Sequence, residues 1–305
     1  MKINLHWPAG MVSVRNQKGF TLVELMITVV VTLILTASVF ATHQVQSTNY
    51  SVQRELSKMQ QGLRGSLHVL EWDLHNGLRD PSPKQENRFT TTGTRWYNSA
   101  GVVDNAGQPG IEFNSLRIDN DGDGVADQVQ MVRYQILQPV GEQLPGLYRT
   151  VNPDPDDPAR NNVAQLVADG IQAIGFAFAL DRNGDGALDR FNNNPLRSIL
   201  WAVDSDNDGR LDAILDTNDD NRIDENDNAG VAGFIGPSAQ LATQATYDQV
   251  RAVRIFLLII SERPFSDHMI DQKFYVVGNQ VIQAPQDRFK RRLMTIDVAL
   301  RNYIR

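Results

Sequence analysis

The hydrophobic rhythm of the chain changes twice within its first eighty residues. Residues 1–19 are mixed and carry Lys2, Arg15 and Lys18 but no acid. From Phe20 to Ala41 nearly every position is apolar, FTLVELMITVVVTLILTASVFA. Beyond Ala41 the apolar residues thin to Val45, Met59, Leu63, Leu67, Leu70 and Leu74, largely at steps of three and four. That spacing marks one face of an amphipathic helix. Gly62 and Gly65 each cost about 1 kcal/mol in a helix interior, yet the pattern resumes after them. Pro81 and Pro83 end it. The pattern therefore predicts one helix over 20–79, apolar all round across 20–41 and one-sided across 42–79.

Past Pro83 the apolar stretches become short and strand-like. Ile111–Ile118 and Gln128–Leu137 flank an acidic run, and Gly170–Leu180 and Arg197–Val203 follow. Val250–Pro264 is apolar on both faces at its centre, as an interior strand is. FYVV-GN-QVIQ reads as a hairpin around Gly278-Asn279. In the final run Met294, Ile296, Val298 and Leu300 alternate with Thr295, Asp297 and Arg301, a strand buried on one side. A long helix first and antiparallel strands afterwards is an α+β order, with a β-rich head over 80–305.

The apolar segment 20–41 reaches about 33 Å as a helix, enough to cross a bilayer. Basic residues before it and none just after predict a cytoplasmic leader and an exported remainder. Glu24 stands out, since a carboxylate at membrane depth costs roughly 2.5–3.5 kcal/mol. An ordinary signal anchor, or a signal peptide cut after Val39-Phe40-Ala41, leaves that residue unexplained. Lys18-Gly19-Phe20-Thr21-Leu22-Val23-Glu24-Leu25 resembles the prepilin peptidase motif of type IV pilins and type II secretion pseudopilins. The resemblance implies removal of the leader 1–19 by cleavage between Gly19 and Phe20, with N-methylation of Phe20. It also implies pairing of Glu24 with the N-terminal amine of a neighbouring subunit. A buried carboxylate beside an amine is tolerable where a lone one is not. Met1 and Met11 are both open as starts.

Leu70–Asp80, Gly170–Gly186, Val250–Pro264 and the terminal VALRN resemble stretches of PilW-type minor pilins and, less closely, J-type pseudopilins. That resemblance implies a type IV pilin fold and no enzymatic activity. Its implied partners are major and minor pilins through the N-terminal helix, prepilin peptidase, the inner membrane and, at a filament tip, an adhesin. The implied location is the inner membrane, with the head in the periplasm, and a surface pilus of a Gram-negative bacterium. The implied role is priming or capping of a type IV pilus. The alternatives are a pseudopilin at the tip of a type II secretion pseudopilus and a DNA-uptake pilin.

Four acidic runs share one template. Asp119, Asp121, Asp123 and Asp127 set the first (119–127), and Asp181, Asn183, Asp185 and Asp189 the second (181–189). The stretch 204–227 holds two more: Asp204, Asp206, Asp208 and Asp212, then Asp216, Asn218, Asp220, Asp224 and Asp227. Oxygen side chains at positions one, three, five and nine, with glycine at six, suit a tight loop around Ca²⁺. In the fourth run Asn221 takes the glycine place. The Glu expected at position twelve is replaced by Gln130, Asn192 and Leu215 in the first three runs, and no helical pattern flanks them, so these are not EF-hands. They resemble dockerin and thrombospondin type 3 loops, with a ligand borrowed from elsewhere; Asp216 or Asp219 could serve the third. Solvated Asp/Asn/Gly turns are the plainer reading of any one run. Their common phase favours calcium as the cofactor.

Composition narrows the rest. There is no cysteine, which excludes disulfides, thiolate catalysis and Cys-ligated zinc. His6, His43, His68, His75 and His268 show no triad or zinc spacing. His68, Trp72 and His75 share a helix face, which predicts packing against the head. The formal charge is −7, and loss of the three basic leader residues would make it −10, so nucleic acid is an unfavoured partner. Arg288, Lys290, Arg291 and Arg292 form the one basic cluster that could meet phosphates.

Overall fold

The computed structural model describes residues 19–77, 95–97, 110–118, 128–151, 164–191, 194, 196–204, 210–227, 240–246, 249–265 and 270–300. Helix α1 runs Leu22–Gly77, in agreement with the single helix read from periodicity. The chain divides into two compact units, Met1–Gln53 and Arg54–Arg305. In the first, the apolar side chains of α1 from Leu22 to Phe40 are exposed, including Val23, Ile27, Ile34 and Phe40. In the second, Met59, Leu63, Leu67, Leu70 and Leu74 are buried, the same stripe that the spacing of three and four picks out.

Thirteen strands are described. β1 (Arg95–Tyr97), β2 (Gly110–Ile118), β3 (Gln128–Leu137), β4 (Gly146–Val151) and β5 (Gln165–Asp169) form a five-stranded antiparallel meander in that order. β6 (Ile171–Leu180), β7 (Trp201–Val203), β8 (Leu211–Ile214), β9 (Gln240–Ala245), β10 (Val250–Ile260) and β13 (Arg291–Ala299) form a second sheet, ordered β13-β10-β6-β7-β8-β9. Only Gly170 separates β5 from β6, so the chain steps from one sheet to the other there. β11 (Phe274–Val277) and β12 (Gln280–Gln283) make the expected hairpin. Gly278 has φ +64°, whereas Asn279 does not appear among the positive-φ residues, the pattern of a type II′ turn.

Two apolar clusters hold the second unit together. The larger gathers the α1 stripe with Phe113, Val132, Tyr134 and Leu147 of the first sheet and Phe176, Ile255, Leu257 and Val298 of the second. The smaller lies on the other face of the six-stranded sheet. It combines Trp201, Phe256 and Leu258 with Val276 and Val277 of the hairpin and with Leu215 and Ile223 from the acidic region. β10 contributes to both clusters, which is why its sequence is apolar on both faces.

Two expectations need correction. The packing face expected for His68, Trp72 and His75 does not form as a whole: His68 and Trp72 are exposed, Trp72 at 57 %, and only His75 is half-buried. The buried stripe runs through Leu63, Leu67, Leu70 and Leu74; position 68 lies one residue, about 100°, past Leu67, and position 72 two residues, about 200°, past Leu70. The strand expected over Arg197–Val203 covers only Trp201–Val203; Ile199 makes an isolated bridge with Arg190.

Candidate functional site

The first candidate is the start of α1. Thr21 and Glu24 form a reciprocal cap. The Thr21 N–H and hydroxyl donate to Glu24 Oε2 at 3.0 and 3.1 Å, and the Glu24 N–H donates to Thr21 Oγ1 at 3.2 Å. This is a capping box, with Thr21 at the N-cap and Glu24 three residues into the helix. It places a carboxylate against the positive end of the helix, where anions are favoured. Phe20, immediately before the cap, is exposed. The leader residues 1–18 lie outside the described residues, so the expected cut falls next to the first described one, Gly19.

Downstream, the polar side chains of the apolar segment are satisfied internally. The hydroxyls of Thr28, Thr32, Thr36, Ser38 and Thr42 each donate to the carbonyl four residues back, at 2.7 to 2.9 Å. A helix that hides its own hydroxyls in this way can enter hydrocarbon at little cost. α1 has the length and mean hydropathy, 2.4 over the best window, of a membrane-crossing helix.

The second candidate is the acidic region. The loop after β6 and the loop after β8 share one hydrogen-bond scheme. Asp181 Oδ1 accepts the Asp185 N–H and Oδ2 the Gly186 N–H, at 3.2 and 3.1 Å. Asp216 does the same for Asp220 and Asn221, at 3.2 and 2.9 Å. Asn183 and Asn218 each accept the N–H two residues on, as do Asp185 and Asp220. The backbone repeats too: Gly184 and Gly186 have φ of 72° and 84°, and their counterparts Asp219 and Asn221 have 60° and 66°. Asn221 thus takes the left-handed conformation the template asks of its sixth position, one that Asn tolerates better than most residues. Asp181 and Asp216 are 4 % and 0 % exposed, and burial pushes the Asp216 carboxyl above its usual range.

The side-chain donors fit a cation less well than the backbone does. Among the described residues no three carboxylate or imidazole groups gather around one point. Asp189, the ninth position of the second loop, is bonded by the Arg182 guanidinium. Asp227 instead accepts the N–H groups of Thr217 and Asp224 at 2.8 and 2.9 Å, closing the fourth loop on itself. Asp219, a candidate donor for the third loop, is held by Ser198 and Arg197 at 2.5 and 2.6 Å. The Ser198 hydroxyl holds the Asp219 carboxyl below its usual range. In the third loop, Asp204 follows β7, and continuing the β7–β8 register by one residue sets it opposite Asp212. Asp206 and Asp208, and all of the first run 119–127, lie outside the described residues.

The basic cluster near the C-terminus does internal work. The Arg291 side chain is only 1 % exposed, and its guanidinium donates to both oxygens of Asp287 at 2.7 Å and to Gln172 at 2.9 Å. That guanidinium holds the Asp287 carboxyl below its usual range. Lys290 sits over the Phe265 ring, 5.1 Å from its centroid. Arg288 and Arg292, the other two members, are exposed.

Sequence reasoning missed one polar group in the core. Asp73, on the buried face of α1 and 0 % exposed, accepts the Tyr134 hydroxyl of β3 and two bonds from Arg149 of β4, at 2.6 and 3.1 Å. The signal was present, since Asp73 lies three residues after Leu70 on the apolar stripe.

The family model of type IV pilus-assembly protein W, PilW, matches residues 133–302, more than half of the chain. The chain belongs to the PilW family. A second model, the prokaryotic N-terminal methylation motif, matches residues 14–40, which include Gly19, Phe20, Glu24 and nearly all of the apolar segment. Among solved structures, the type IV-like pilin TTHA1219 from Thermus thermophilus aligns over 81 % of this chain and 99 % of its own. The identity is 14 % and the TM-score 0.38, a likeness too loose to carry weight here. No curated protein sequence matches the chain. The long N-terminal helix and antiparallel sheets agree with the pilin fold implied by the resemblance. The methylation motif and the apolar segment of α1 fit a membrane-anchored pilus protein, and pilins of this kind are structural rather than catalytic.

Proposed function

We propose that this PilW-family chain is a minor pilin that primes or caps a type IV pilus. Prepilin peptidase cuts after Gly19, removes the leader and exposes the Phe20 amine, which is methylated. Glu24 then pairs with the N-terminal amine of a neighbouring pilin. The apolar part of α1 moves from the inner membrane into the filament core, and the head stays on the periplasmic or outer side of a Gram-negative cell. The acidic loops take up calcium and brace the head, and the head offers a tip partner such as an adhesin its surface. One observation supports this reading above the rest: the only acid in the apolar segment lies at the start of α1, inside a methylation motif, in a chain of the PilW family.

Mass spectrometry of the protein's N-terminus, in sheared surface filaments and in the remaining envelope, tests it. N-methylated Phe20 in the sheared fraction is the expected result. The same end in the envelope alone would point to a secretion pseudopilin, and a protein beginning at Thr42 would overturn the reading. Glu24→Ala should still be cleaved but fall at least about tenfold in the sheared fraction, because an uncharged side chain has nothing to offer the amine.

A further inference from the structure

The six-stranded sheet ends at β13, and among the described residues no strand pairs with its outer side. Its ladder with β10 runs from Arg291 to Ala299 without a register shift. The Leu300 N–H donates to the Arg251 carbonyl at 2.8 Å, and the Lys290 carbonyl accepts the Ser261 N–H at 2.9 Å. Even-numbered residues along this strand therefore turn their backbone groups toward β10. Alternation then aims the N–H and C=O groups of Arg291, Leu293, Thr295, Asp297 and Ala299 away from the sheet.

Natural edges are blunted by prolines, bulges, free charges or short length. β13 has no proline, no glycine and no bulge. Two of its three charges are engaged within the sheet: Arg291 by Asp287, and Asp297 by Arg254, which donates to it at 2.7 and 2.9 Å. Its backbone chemistry asks for an extended strand, and its side chains say which kind. On the face toward the main core, Met294 and Ile296 are only half-buried, with Arg292 exposed beside them. On the other face Thr295 and Asp297 are exposed. A fitting strand has apolar residues at alternate positions and an acid near Arg292. A second copy of β13 fits poorly. Antiparallel self-pairing of the outward residues about its middle sets Arg292 against Ile296 or Val298 and supplies it no acid.

We propose that β13 is a docking edge that takes an extended strand from the head of a different pilin-like subunit. The inference rests on the pilin reading. Because the chain has no cysteine, Thr295→Cys gives a unique thiol on this edge. A thiol-anchored photocrosslinker is attached to the full-length protein in cells, with Gln244→Cys on the opposite edge strand β9 as comparison. Adducts from position 295 should map to strand residues of another pilin-like head, at least tenfold above those from position 244.

Thr295→Pro removes an outward N–H and leaves the β10 ladder whole. It should hold the melting temperature of the purified full-length protein within about 3 °C. It should also lower both the chain's yield in sheared filaments and adducts from Ala299→Cys at least tenfold. Adducts to a second copy, adducts to non-strand segments, equal labelling at position 244, or wild-type behaviour of Thr295→Pro would each overturn the proposal. The two readings fail separately. A chain absent from sheared filaments that still crosslinks to another head removes the pilus role and keeps the edge. Normal filament entry by Thr295→Pro removes the edge and keeps the pilus role.

Discussion

A buried acid on a helix that must also pack its apolar stripe is an expensive choice, and Asp73 shows how it is made tolerable. Its two oxygens receive Arg149 and the Tyr134 hydroxyl, so neither oxygen is without a donor. The Arg149 guanidinium is held charged more firmly than usual by its bond to Asp73, and burial raises the Tyr134 hydroxyl well above its ordinary range. Tyr134 therefore stays a donor and Arg149 a cation throughout any physiological range. The group ties one rotation of α1 to one register of β3 and β4. Removing a single partner strands the others: Asp73→Ala should destabilise the protein by about 3 kcal/mol, the lower end for a buried pair because Arg149 is partly exposed. The double change Asp73→Leu with Arg149→Met should recover most of that loss. Urea unfolding of the full-length protein in detergent reads both values, and an Asp73→Ala midpoint equal to wild type would show that the group carries no strain-bearing load.

At the scale of elements, the hairpin β11–β12 lies across β6 with no side chain between them at one point. A Cβ on Gly175 would sit 2.5 Å from the Val277 carbonyl, and one on Gly278 would be 2.9 Å from the Phe176 nitrogen. Both neighbours are backbone and cannot swing away. Gly175→Ala should therefore push the hairpin off the sheet and cost at least about 1–3 kcal/mol, as overpacking does. A thermal melt matching wild type would mean that the hairpin is not seated there. Nothing in the sequence around Gly175 announces this contact, because it depends on which sheet the hairpin lands on. The same limit explains what else was hidden. α1, β10, β13 and the hairpin were legible because their side-chain periods are local: steps of three and four, apolar runs, alternation and a Gly-Asn turn. The split into two sheets at Gly170 was not legible, since the short, largely exposed β5 carries no strong apolar pattern and only Gly170–Leu180 reads as a strand there. Asp73 was passed over because an acid on a stripe looks like noise until its donors are found on β3 and β4. In the N-terminal region Glu24 was legible for the opposite reason: its surroundings are apolar in sequence, so the exception is visible without coordinates.

For the molecule as a whole, charge is the unresolved account. The chain carries −7, and loss of Lys2, Arg15 and Lys18 with the leader would leave −10. Much of this negative charge lies in loops joined to the six-stranded sheet, and buried carboxylates there include Asp181, Asp189, Asp204, Asp216 and Asp227. Asp181, Asp216 and Asp227 are held by backbone N–H groups and Asp189 by the Arg182 guanidinium. Burial first, and then the nearby Asp227 carboxylate, raise the Asp216 carboxyl, so its stabilising contribution belongs to the protonated form and is lost as pH rises through its folded value. A divalent ion would reverse that sign by favouring the ionised form. With dissociation constants near 10⁻⁴ M, typical of extracellular modules, millimolar calcium would add about 1.4 kcal/mol per occupied site. Two sites would then raise the melting temperature of a head this size by about 6–12 °C. The measurement is a thermal melt of the full-length protein in millimolar calcium and in chelator. Asp216→Asn should remove about half of the calcium-dependent rise, leaving the melt in chelator much less changed, because the fourth loop alone would lose its ion. Identical melts in calcium and chelator would show that backbone hydrogen bonds hold these loops without help, and that their shared template serves turn geometry alone.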